Sequence, residues 1–62
     1  MTATTVRPMP DVGWFLTDGK LLVQVLAQFK ETHRVLVEDS RRPSVEFVIE
    51  AGARWRRVIP NA

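Results

Sequence analysis

Asp18-Gly19 constrains this chain more than any other pair of residues, because it sits between two stretches rich in alternating apolar side chains. A type I′ turn needs positive φ at both central positions, and Asp-Gly supplies it, so a β-hairpin is predicted over Gly13–Lys30. Closure on two residues sets Thr17 opposite Lys20, Leu16 opposite Leu21 and Trp14 opposite Val23. Strand side chains alternate, so Trp14, Leu16, Leu21, Val23, Val25, Ala27 and Phe29 then share one wholly apolar face. The other face is mostly polar but also carries Phe15, Leu22 and Leu26.

A helix from about Asp18 to His33, with Thr17 as N-cap, is the alternative. It would bury Leu22 and Leu26 and yield an α+β fold, one helix (about 18–33) packed on a three-stranded antiparallel sheet. Gly19 in the first turn and β-branched Val23 and Val25 in the middle count against it.

The rest of the chain follows the strand rhythm. Arg34–Asp39 reads as a third strand with Val35 and Val37 inward, and a loop of Glu31-Thr32-His33 would pair Phe29 with Val35. Ser44–Glu50 alternates with Val45, Phe47 and Ile49 inward and Val48 outward, and a fifth strand spans about Ala53–Ile59 with Trp55 and Ile59 inward. Turns near 18–19, 31–33, 40–43 and 51–52 have the spacing of an antiparallel meander. The fold expected is all-β, a small five-stranded antiparallel meander of SH3-like or OB-like barrel type. Residues 1–11, with Pro8 and Pro10, read as a disordered N-terminal arm, and 12–60 as a single small β domain.

A core this small is marginal, and small chains add disulfides, metal or self-association. With no cysteine and a single histidine, neither disulfides nor a metal site is expected, which leaves self-association, for instance as a homodimer. No cofactor is implied. The N-terminus lacks the apolar core of a secretory signal and no apolar run is long enough to span a bilayer, so a soluble cytoplasmic protein is expected.

Catalytic chemistry finds little to work with. His33 lies in a polar loop without a positioned nucleophile, and adjacent Glu38 and Asp39 point to opposite faces of a strand. The three glycines form no phosphate-binding loop. A non-enzymatic binding module is therefore expected, an accessory or inhibitor-type protein that docks a protein partner or a second copy. Its partner-binding residues would be Phe15, Leu22, Leu26 and Val48, an apolar stripe on the outer face, or else an edge strand. The alternative is nucleic-acid binding through Arg34, Arg41, Arg42, Arg54 and Arg56, since residues 51–62 carry three arginines and no acid. Pairing of the fifth strand with the fourth would weaken that patch by setting Glu46 opposite Arg56 or Glu50 opposite Arg54.

Overall fold

The computed structural model describes residues 9–60. It is an all-β, five-stranded antiparallel sheet of β1 (Phe15–Thr17), β2 (Leu22–Phe29), β3 (Arg34–Asp39), β4 (Glu46–Glu50) and β5 (Arg56–Val58), in the order β4-β3-β2-β1-β5. The helical alternative over 18–33 is overturned, because β2 occupies its centre and pairs with strands on both sides. Met9 packs against the core and Pro10 is buried, while residues 1–8 of the expected arm lie outside the described residues.

The reversal at Asp18-Gly19 is present with a longer loop than a two-residue turn. Leu16 pairs with Val23 and Thr17 with Leu22, so Asp18–Leu21 form a four-residue connection and Leu21 is exposed there. Side chains close it: Asp18 Oδ1 accepts from the N–H groups of Lys20 and Leu21, each at 2.9 Å, and Thr17 Oγ1 donates to the Leu21 carbonyl at 2.7 Å. Gly19 takes φ +98°, where a Cβ is strained. The two-residue change in register preserves parity, so the predicted faces survive: Leu16, Val23, Val25, Val35, Val37 and Ile49 form the core.

Parity breaks further along β2. The connection to β3 is Lys30–His33, with His33 at φ +56°, and Phe29 pairs with Arg34 instead of Val35. A loop with one residue more than predicted would turn β2 inside out against β3. A β-bulge between Val25 and Ala27 absorbs the difference, because Leu26 is the extra residue. Beyond the bulge Gln28 pairs with Val35, and Ala27 and Phe29, both predicted inward, pair with outward Leu36 and Arg34. Phe29 is accordingly 44% exposed. Gln28 compensates for its inward position by donating Nε2–H to the Pro10 carbonyl at 2.8 Å.

The fifth strand departs from a simple meander. β5 pairs with β1, as Thr17–Arg56, Leu16–Arg57 and Phe15–Val58. The predicted facing of Glu46 or Glu50 with Arg56 or Arg54 is therefore absent, because β4 and β5 lie on opposite edges. Residues 51–55 carry the chain from one edge to the other and bring Trp55 against the core. Val45 and Ile59, predicted inward, lie beyond the strand ends and are exposed.

The Asp18 turn makes a pH prediction. Hydrogen bonds from the backbone of Leu21 and then Lys20 hold the carboxyl below its ordinary value of 3.8, with a smaller pull from Arg54. A group depressed in the folded state contributes stability that is full above 3.8 and disappears as pH falls through the folded value. In thermal melts from neutral pH downward, Asp18→Asn should lose less stability across that acid range than the wild type. Parallel melting curves would exclude the carboxylate from the turn.

Candidate functional site

Residues directly opposite in neighbouring strands share a face, so the pairings map the outer surface row by row. One row runs Glu46–Glu38–Gln24–Phe15–Val58, the next Leu22–Thr17–Arg56. On the other side of the first row, Val48–Leu36–Ala27 form an apolar row with bulge residue Leu26 beside it, and Glu50–Arg34–Phe29 end the sheet. Phe15, Leu22 and Leu26 are half-buried, Val48 is 49% exposed, and none of the four belongs to the core cluster or packs against it. The structure thus brings Val48 and Leu26 together through Leu36, which alternation with inward Val35 and Val37 sends outward but which the predicted stripe did not include. Phe15 and Leu22 lie across Gln24 from that row.

The five candidate arginines divide. Arg34 sits at the far end of β3 with its Nη2 4.0 Å from Glu50 Oε2, a loose exposed contact of little energetic weight. Arg56 lies at the opposite end, in the row of Thr17 and Leu22, and the Ser40 N–H donates to the Leu22 carbonyl at 2.9 Å. The loop carrying Arg41 and Arg42 consequently leaves the sheet at the same end as Arg56, with the Lys20 loop between them. Arg54 lies in the β4–β5 connection and exerts only a small pull on Asp18.

Two turns shape the Arg41-Arg42 loop. Buried Asp39 accepts the Arg41 N–H on Oδ1 at 2.9 Å, and its carbonyl accepts the Arg42 N–H at 3.0 Å. The Val45 N–H then donates to the Arg42 carbonyl at 3.0 Å, closing a turn with Pro43 and Ser44 at its centre. Pro followed by a residue of positive φ is the type II pattern, and Ser44 stands at φ +86° where glycine is preferred.

On the inner face an open groove of about 390 Å³ runs between the β2–β3 loop and the β4–β5 connection, and a smaller cavity of about 120 Å³ adjoins it. They share His33, Ala51, Gly52 and Trp55 as lining, and Trp14 and Arg57 line the smaller one. Sequence reasoning assigned both tryptophans to the core and His33 to a polar loop, and it counted Arg57 among the C-terminal arginines but not among the binding residues. The parity that sends Trp55 inward also sends Arg57 inward, so the signal was present. The Arg57 guanidinium lies 3.9 Å from the centroid of the Trp14 ring.

Ser44 offers a test of the loop geometry. Ser44→Gly should raise stability by about 1 kcal/mol by releasing the left-handed strain of a side-chain-bearing residue. A neutral or destabilising effect in denaturant melts would mean that the turn is not of type II. Among the described residues no helix is long and apolar enough to cross a membrane. No family model, curated protein or solved structure matches the chain.

Proposed function

We propose that this protein is a small non-enzymatic binding module, cytoplasmic and of accessory or inhibitor type, that engages a protein partner or a second copy of itself through the outer face. The observation that carries this reading is the Val48–Leu36–Ala27 row, which reaches the sheet edge at half-exposed Val48. An edge strand presents unpaired backbone groups, and β4 pairs only with β3 among the described residues. An added strand there would gain main-chain hydrogen bonds and cover Val48 at once. Phe15, Leu22 and Leu26 would extend the contact across the sheet.

Sedimentation of wild type and Val48→Glu tests it, alongside affinity capture with each protein. Burying an unpaired carboxylate at an apolar contact should weaken association or capture at least about tenfold while leaving the fold intact, since Val48 lies outside the core. Identical behaviour of the two proteins would remove the outer face from function.

One observation favours a second reading, nucleic-acid binding. Because β5 is remote from β4 in strand order, Arg56 does not face Glu46, and it stands at the same end of the sheet as the loop carrying Arg41 and Arg42. Cations that contact phosphate release counterions, and each contributes roughly 0.7–0.9 to the logarithmic salt slope. If this end binds nucleic acid, a mobility shift seen at low salt should weaken in Arg41→Gln/Arg42→Gln, with the slope reduced by about 1.4–1.8. Absence of any shift at low salt rejects the reading.

A further inference from the structure

We infer that the inner groove is a second binding site, which takes an extended peptide segment presenting an Asp or Glu carboxylate beside a large apolar side chain. Its chemistry is unlike that of the outer face. Two half-buried indoles supply apolar wall, while Arg54 and Arg57 supply charge, with Glu50 as the single acid among the lining residues. No carboxylate of the described residues lies within 4.0 Å of either guanidinium.

The placement of Arg57 decides what kind of ligand fits. The central carbon of the Arg57 guanidinium lies over the Trp14 ring, 3.9 Å from its centroid, and a guanidinium that meets an indole face-on keeps its in-plane N–H fork for other partners. Such a fork matches a carboxylate in bidentate geometry, and the stacking holds it in place beforehand. A nucleobase, by contrast, would have to displace Arg57 to stack on that side of Trp14. The adjoining cavity, at about 120 Å³, is below the range of sites for whole small-molecule ligands (about 300–1,000 Å³) and suits one apolar side chain. The larger groove is open enough for backbone to run through it.

Gly52 supplies a steric switch for the test. It lines both spaces, a Cβ built there meets nothing within 4 Å, and its backbone lies outside the left-handed region. A leucine there starts from a Cβ that meets no protein atom and adds apolar bulk to a residue that lines both spaces.

The experiment is an NMR titration of the ¹⁵N-labelled full chain with acetyl-Leu-Glu-Gly-amide, whose only carboxylate is the glutamate side chain. Saturable shifts at the Trp14 and Trp55 indole N–H signals are expected at millimolar peptide. Replacing the peptide glutamate by glutamine, or Arg57→Gln in the protein, should each weaken binding about tenfold or more, as for loss of a charged hydrogen bond. Gly52→Leu should abolish the shifts while keeping a dispersed spectrum. Val48→Glu should bind as wild type, which separates this site from the role proposed for the outer face. The inference is overturned by no saturable indole shift, by an equal response to the glutamine peptide, or by unchanged binding in Gly52→Leu. Stronger shifts at the same indoles with a short single-stranded DNA overturn it in favour of a nucleic-acid site.

Discussion

The fold depends on keeping Val23, Val25, Val35 and Val37 on the same side of one sheet. All four are essentially inaccessible to solvent, and they form the centre of the core. Side chains alternate with a period of two, so a one-residue slip between β2 and β3 would turn half of them outward. The Lys30–His33 loop and the bulge at Leu26 therefore act as a pair: the loop shifts the register by one and the bulge by one more in the same direction, which restores parity. Neither is tolerable alone. His33 in its left-handed conformation is one end of this device, and Gln28 bonded to the Pro10 carbonyl is its consequence at the other.

The same pairing pattern determines where function can reside. Because β5 leaves β4 and joins β1, the connection of residues 51–55 has to pass from edge to edge, and Trp55 covers the inner face on the way. Glutamates of β4 and arginines of β5 thus end up on opposite margins of the sheet. A chain with a mild net charge of +2 acquires a polarised surface from topology alone, with Glu46 and Glu50 on one edge and Arg56 and Arg57 on the other. Like charges would face each other if two copies met β4 to β4 without offset, so a self-complementary contact needs a shifted register.

Much of this was legible in the sequence, and the parts that were not share a physical cause. Alternation identified the all-β class, the five strands and all four core valines, because parity is unchanged when a register moves by two residues. The Asp18-Gly19 reversal was legible for the same reason, although Thr17 and Asp18 side chains stretch its loop to four residues. The bulge was not: Leu26 resembles any other aliphatic residue of the run, and only the phase of Val35 reveals that one position must be skipped. The partner of β5 is a choice between edges far apart in sequence, to which local pattern is blind. Of the candidate site, outward Phe15, Leu22 and Val48 followed from parity, whereas the placement of Arg56 at the same end of the sheet as Arg41 and Arg42, away from Glu46, needed the strand order.

The distribution of aromatic residues sharpens the contrast between the two faces. In a domain with so small a core, the largest apolar side chains would stabilise most if fully enclosed. Yet the fully enclosed side chains here are valines and one leucine, while Trp14, Trp55 and Phe47 are half-buried and Phe29 is exposed. Phe29 has a structural explanation, since the bulge turned it outward. Trp14 and Trp55 do not, because their parity is inward and the connection that could have sealed them leaves a groove instead. Arg57 occupies the inner face opposite Leu16, where an aliphatic residue would have completed the core. A guanidinium there is stable only by stacking on Trp14 and reaching water, so the opening and the arginine require each other.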